Sequence, residues 1–421
     1  MTGASDFLVQ LADARARSDA LFATLRPDAW LARPLAERHR LIFYLGHLEA
    51  FDRNLLVGGA PRHREFEQLF AFGIDPLDDV PQDAPGDWPS LGAIDAWRRE
   101  ARADVDARTS IPPGHQRIAI EHRLMHVETL SYLFEQLGPG MRDVPAPAID
   151  ARPAPEQAWR SIPAGPVTLG LSSIDDADAG WCNEYEAHAV EVPAFRIQAR
   201  KTSNADWLAF IEGGGYCQPE LWSNDDFAWV QREAIGAPSR WVHRPGAWKL
   251  LLGGVEHPLP MGWPVYVSHA EALAYARFRG ATLPTEAQWH RAVHGSHDGK
   301  ARSFPWGEAP PRPGLHGNFG FASPHPTRIG AHPAGQSAFG LDEPVGNGWE
   351  WTRSTFAPFD GFRPDPAYPG YSQPFFDGRH AVLAGASAVT ALPLLRRSFR
   401  NWYQPHYRAA FATVRLVEDA R

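Results

Sequence analysis

The sequence predicts an α+β protein, with an N-terminal four-helix bundle followed by a loop-rich module of short strands. Three observations carry this. Residues 1 to about 140 hold four long apolar-periodic segments of helix length, separated by prolines. From Trp159 onward the apolar runs shorten, and most of the 37 glycines and 16 tryptophans fall there. At 421 residues the chain is too long for one ordinary core, so two or three domains are expected.

The helices are expected over 6–25, 35–56, 91–108 and 118–137. Pro27, Pro34, Pro61, Pro89, Pro112 and Pro113 punctuate them. An antiparallel bundle over 1–140 follows, with a long connection from Pro61 to Pro89. Residues 141–158, rich in Pro and Ala, read as a linker. The second domain spans 159–421. Within it, helices are expected over 270–278 and 285–293. Thr285 is the expected N-cap of the latter, with Gln288 completing a capping box. Large aromatics packed over glycine loops account for most of the tryptophans. No fixed-period repeat is visible, which argues against a propeller or solenoid.

The net charge of −8 argues against a nucleic-acid surface. The N-terminus lacks a basic stretch followed by an apolar one, so no signal peptide is expected. No apolar run reaches the ~18 residues of a membrane span. Two cysteines, Cys182 and Cys217, make no disulfide framework and fit a reducing cytoplasm. Neither nucleic acid nor membrane is an expected partner.

The most informative stretch is His122-Arg-Leu-Met-His126, followed by Val127-Glu128. Residues four apart on a helix lie on one face, so both imidazoles can converge on one metal ion. His47, in Leu45-Gly46-His47-Leu48-Glu49, sits in a second apolar-rich helical run. Three inward histidines on two long helices would make a metal site in a bundle. The plainer alternative is two partly exposed histidines, or one core histidine bonded to a neighbour. Glu128 lies about 200° around the helix from His126, so it is expected to point away from the metal.

The second half carries several diagnostic strings. They are Ile162-Pro163-Ala164-Gly165-Pro166-Val167, Asn183-Glu184-Tyr185-Glu186, Pro264-Val265-Tyr266-Val267-Ser268, Leu283-Pro284-Thr285-Glu286-Ala287-Gln288-Trp289 and Gly346-Asn347-Gly348-Trp349-Glu350-Trp351. Together they resemble the formylglycine-generating-enzyme fold, a C-type-lectin-like module, with Gly348 where that family usually has valine. The cysteine pair those enzymes need near the C-terminus is missing, because no cysteine follows Cys217. A helical domain ahead of this module resembles instead the ergothioneine sulfoxide synthases, which join a DinB-like four-helix bundle to it.

That resemblance implies non-heme Fe(II) held by His47, His122 and His126, with Glu128 as the motif's carboxylate and O₂ as co-substrate. Three iron positions would remain for hercynine, a chalcogen donor and O₂. It implies bond formation at the imidazole C2 of hercynine, with Tyr368 or Tyr371 as proton donor. It also places Asn401 and Trp402 against the substrate's trimethylammonium and carboxylate. An aromatic face plus an amide oxygen suits a quaternary ammonium, which has no N–H to donate.

The chain departs from the family pattern around the donor. Met125 stands where a glutamine is usual. Tyr403 and Tyr407 stand at the positions of an acid and an arginine, with Arg408 one further. The arginine-bearing loop is replaced by Phe72-Gly73-Ile74-Asp75-Pro76 through Asp87-Trp88-Pro89, and the R-G-G-S-W string by Ala384-Gly385-Ala386-Ser387-Ala388. Arg396, Arg397 or Arg408 are the charges able to enter the vacated place. Loss of charged clamps points to the selenoneine synthase branch, which takes a selenosugar. The alternatives are a thiol donor, γ-glutamylcysteine or cysteine, in the ergothioneine branch; a 5-histidylcysteine sulfoxide synthase; and a non-catalytic lectin-like binding protein.

Overall fold

Four long helices form where apolar spacing and capping agree. In the computed structural model they are α1 (Ala4–Phe22), α2 (Leu41–Leu56) and, after a short α3 (Arg64–Leu69), α4 (Leu91–Asp106) and α5 (Pro113–Phe134). The structure describes residues 4–60, 63–71, 83–144, 146–172 and 180–419. Ser90 caps α4 by accepting the Ala93 N–H. α5 starts five residues before the expected 118, because Pro113 occupies its first turn, where a missing N–H costs nothing. α2 starts at Leu41 rather than 35, since residues 35–40 form turns and Arg40 is extended. α3 lies inside the expected long connection; of the replaced arginine loop, 72–89, residues 72–82 fall outside the described residues.

These helices belong to one compact unit, Met1–Ala146 with Leu252–Val255. α1 packs on α5, and α2 packs on both α4 and α5. α2 is apolar nearly all round, yet it also buries His47, Glu49, Asp52 and Arg53. Buried charges need partners, and arginines supply them. Arg123 of α5, fully buried, donates to Glu49 at 3.0 Å, to Asp52 at 2.6 Å and to the Leu48 carbonyl at 3.1 Å. Arg102 of α4 bridges Asp19 of α1 and Glu49 of α2. Burial would raise the Glu49 pKa, but Arg123, Arg102 and Arg98 outweigh it and hold it at about 2.

The second unit is Pro147–Leu251 with Glu256–Arg421. Its elements are β1 (Trp159–Ile162), β2 (Gly165–Leu169), β3 (His188–Val192), β4 (Phe195–Gln198), α6 (Asn204–Glu212), α7 (Asn224–Arg232), β5 (Trp241–Arg244), β6 (Ala247–Leu252) and β7 (Val255–Pro258). Then follow α8 (His269–Phe278), α9 (Glu286–His294), β8 (Trp349–Thr355), β9 (Ala381–Ala384), β10 (Asn401–Tyr403), β11 (Ala412–Thr413) and β12 (Val417–Asp419). The largest sheet runs β10-β9-β8-β11, with β11 parallel to β8. The others are β1-β4-β12, β2-β3 and β5-β6-β7. α9 forms with the expected capping box: Gln288 N–H donates to Thr285 Oγ1 at 3.0 Å, and Thr285 N–H to Gln288 Oε1 at 2.9 Å.

Trp289 of α9 enters the core and donates to Glu350 of β8 at 2.8 Å. Glu350 also receives Lys201 at 2.6 Å and Arg415 at 2.8 Å. Lys201, Glu350 and Arg415 are all buried, so this cluster is satisfied internally. The turn before β8 explains Gly348. Its φ is +135°, and a Cβ there would lie 2.8 Å from the Tyr266 ring. A valine fits neither the conformation nor the space. No helix among the described residues is long and apolar enough to cross a membrane.

Replacing Arg123 by Met should destabilise the bundle by about 3–5 kcal/mol, because it leaves Glu49 and Asp52 buried with too few partners. Urea unfolding followed by far-UV dichroism measures this. An unchanged midpoint would show that the network contributes nothing.

Candidate functional site

His47 of α2 and His122 and His126 of α5 come together inside the bundle. Their ligand nitrogens all lie within 4.8 Å of one another, and all three residues are buried. His122 and His126 bring their Nε2 atoms to 3.1 Å. His47 donates its Nδ1–H to the Phe70 carbonyl at 2.8 Å, which leaves the Nε2 lone pair available.

Gly46 makes that bond possible. A Cβ there would lie 2.4 Å from the Phe70 ring, so only glycine lets Phe70 approach α2 this closely. Aromatic side chains at the same helical spacing hold the imidazoles in place. Phe51 stacks on His122 with ring centroids 3.4 Å apart, and Phe43 stacks on His47 at 5.0 Å. Phe43, His47 and Phe51 recur every four residues along one face of α2.

Electrostatics keep the trio neutral. Burial lowers the His47 pKa to about 4, against the opposing Phe70 bond. Burial, then the neighbouring imidazoles and Arg123, hold His122 and His126 well below the ordinary histidine value. Neutral imidazoles are the form that ligates metals. Two facing Nε2 atoms can satisfy each other only if one carries the proton, and the third nitrogen then gains nothing. A divalent transition ion satisfies all three lone pairs at once, so the donor set fits such an ion.

Neither neighbouring glutamate joins the histidine cluster. Glu49 spends both carboxylate oxygens on arginines rather than orienting a histidine. Glu128 is buried but outside the histidine cluster. The histidine orienter is the Phe70 carbonyl, delivered by α3. No local spacing announces it; only the glycine before His47 hints at a close approach. Met125 is half-buried on α5, between the paired histidines in sequence.

The other expected residues lie in the second unit, and Tyr368, Tyr371 and Trp402 share an aromatic cluster there. Tyr371 is 9% exposed, stacks on Trp181 at 4.0 Å and meets Trp402 edge-on at 5.4 Å. Tyr368 is half-buried, with its ring 5.8 Å from that of Tyr371. Trp402 lies flat on Phe356 at 4.1 Å. The Asn401 side-chain oxygen accepts the Trp402 N–H at 2.9 Å, which turns the amide toward the strand. Tyr403 and Tyr407 stack on each other, with centroids 4.8 Å apart and planes 5° apart. Arg408 is held by the Ala237 carbonyl and lies 3.4 Å from Glu271. Arg396 pairs with the buried Glu184.

Sequence reasoning passed over Trp181 and Phe356, the two rings that brace Tyr371 and Trp402. Arg400, which opens the string Arg400-Asn401-Trp402, is buried, paired with Glu286 at 2.8 Å and placed over the Phe356 ring.

The fold and these clusters define a protein whose helical unit is able to hold a metal, and the relatives it matches are oxidative enzymes. The sulfatase-modifying factor enzyme 1-like domain model matches residues 145–420. Hercynine oxygenase of Mycolicibacterium smegmatis is 38% identical over 330 residues, covering 76% of this chain and 76% of its own. Hercynine oxygenase of Mycolicibacterium thermoresistibile is 42% identical over 60% of this chain and 57% of its own. Ergothioneine biosynthesis protein 1 of Neurospora crassa is 28% identical over 94% of this chain and 55% of its own. The matches thus span from about half to three quarters of these relatives' lengths. The chain belongs to the hercynine oxygenase family, built on a sulfatase-modifying factor enzyme 1-like domain.

The histidine cluster gives a pH prediction. An unfolded imidazole takes up a proton near 6.5, whereas folded His47 does so only near 4. The unfolded chain therefore binds more protons between these limits, so stability is full above 6.5 and falls as pH drops toward 4. His47 alone should account for on the order of 3 kcal/mol at the lower limit. Denaturant unfolding of metal-free protein across this range checks it. A pH-independent midpoint would mean the imidazoles are not buried neutral.

Proposed function

We propose that this chain forms a carbon–chalcogen bond at the imidazole C2 of hercynine, using Fe(II) and O₂. The observation that carries this is the buried, neutral His47–His122–His126 cluster in a chain whose relatives are named hercynine oxygenase. The helical unit is read as a DinB-like bundle holding Fe(II) through these three histidines. When bound, the iron supplies the centre at which O₂ is reduced and the chalcogen donor activated.

The protein's own residues do the rest. Phe70, Phe43 and Phe51 fix the imidazoles, so the donor set is formed before metal arrives. Trp402 and Asn401 recognise the trimethylammonium of hercynine by cation–π attraction and an amide oxygen. Phe356 behind Trp402 and Arg400 beyond it keep that ring in one orientation. Tyr371 or Tyr368 holds the proton delivered to reduced oxygen, and stacking on Trp181 keeps the Tyr371 phenol in place.

For the donor we propose a selenosugar, with a thiosugar as the lesser substrate. The stacked Tyr403–Tyr407 pair offers hydroxyls rather than charges at the positions where relatives grip a peptide. Arg408 beside it is engaged by Ala237 and Glu271. Hydroxyls match a neutral sugar, whereas a dianionic peptide would bury charge without partners. Ergothioneine-type sulfoxide synthesis from γ-glutamylcysteine is the second reading, favoured by the relative named ergothioneine biosynthesis protein 1.

Aerobic incubation with Fe(II), hercynine and a panel of cysteine, γ-glutamylcysteine, a thiosugar and a selenosugar separates these readings. The expected result is a C2 product with kcat/KM highest for the selenosugar, since that ratio measures discrimination between competing substrates. His122→Ala should abolish it along with iron binding. A preference for γ-glutamylcysteine would return the chain to the ergothioneine reading, and no hercynine product with any donor would refute the function.

A further inference from the structure

A second histidine pair at helical spacing lies on α9, in the second unit. His290 and His294 are 5% and 3% exposed, and their rings stack with centroids 5.5 Å apart. They line a small cavity together with Trp289, Phe304, Gly385 and Arg397. Its volume of about 20 Å³ admits a single water-sized or monatomic particle.

The polar balance of this cavity is uneven. His290 Nδ1 is buried and has no hydrogen-bond partner among the described residues. His294 spends its Nδ1–H on the Arg302 carbonyl at 3.3 Å. The neighbouring arginines are neutralised, Arg396 by Glu184 and Arg400 by Glu286. Arg397, half-buried, has no hydrogen bond or ion pair among the described residues. Burial, then the Arg397 and Arg400 charges, lower the His290 pKa to about 3, in line with a cavity of positive potential.

Three occupants can be weighed. A transition metal would suit two imidazoles four residues apart, but it would enter beside the Arg397 guanidinium, whose charge the exposed Glu308 offsets only through space. Water would satisfy His290 but gains less from the Arg397 charge than an anion does. A monoanion meets both needs, accepting an N–H from His290 and neutralising Arg397. The small volume favours a monatomic ion. We propose that Arg397 and His290, walled by His294, form a binding site for a chloride-sized monoanion.

The position gives the site a consequence. The wall segment containing Leu395, Arg397 and Phe399 leads directly into β10, which carries Asn401 and Trp402. An anion bridging α9 to this segment would hold the approach to that strand. This consequence rests on the proposed hercynine role of Trp402; the binding site itself does not.

The test uses the full chain in gluconate buffer, titrated with chloride and then bromide. Excess broadening of the chloride NMR line, reversed by bromide, is the expected result. Arg397→Gln should weaken binding about tenfold or more, as loss of a charge-assisted bond predicts, and Arg397→Lys should retain part of it. Crystals soaked in bromide should show an anomalous peak between Arg397 and His290, which tests the site without any variant. No excess broadening, broadening unchanged in a folded Arg397→Gln protein, or the absence of that peak would overturn the proposal. None of these readouts uses turnover, so a failed hercynine assay leaves them independent.

Discussion

The pairing of Arg123 with Glu49 and Asp52 is the constraint on which the bundle depends. Arg123 is adjacent to His122, and its two carboxylate partners, Glu49 and Asp52, follow His47 on α2. Charges this deeply buried are tolerable only when matched, so α2 and α5 have one permitted register. That register sets His47 opposite the His122–His126 pair. A slide of one helical turn would leave a guanidinium and two carboxylates without partners. The three clustered histidines thus inherit their geometry from a network of buried ion pairs.

The second unit uses the same device. Glu350 is held at a pKa of about 2 by Arg415 and Lys201, against the burial that would raise it. Arg415 also donates to the carbonyls of Gln198 and Ala199 at 3.0 Å and 2.6 Å. One buried carboxylate therefore ties β8 to the chain following β4, in a unit with little regular structure. The aromatic cluster of Trp181, Tyr371, Trp402 and Phe356 supplies the apolar counterpart.

Much of the site was legible because its information is local. The His122–His126 pair shows as a four-residue spacing, and Thr285 with Gln288 as a capping box. What escaped was long-range. The Phe70 carbonyl reaches His47 from α3, a six-residue helix within an expected loop. The arginine network joins residues up to 105 apart in sequence, and no spacing rule reports it. α6 and α7, of nine residues each, escaped because each is too short for a clear apolar period. Their serine caps with an aspartate three residues on, Ser203–Asp206 and Ser223–Asp226, were the available signal. The α9 histidine pair has the same spacing as the bundle pair. It lacked a third histidine to draw attention, and its arginine neighbour comes from a segment about a hundred residues later.

The central claim is that ion pairing between helices presets three neutral imidazoles as one metal-binding set. X-ray absorption spectroscopy of the Fe(II)-loaded full chain tests it most directly, because outer-shell scattering counts imidazoles around the ion. The account predicts three imidazole ligands in wild-type protein and two in His47→Ala. A count of three that persists in His47→Ala, or a wild-type count below three, would contradict it.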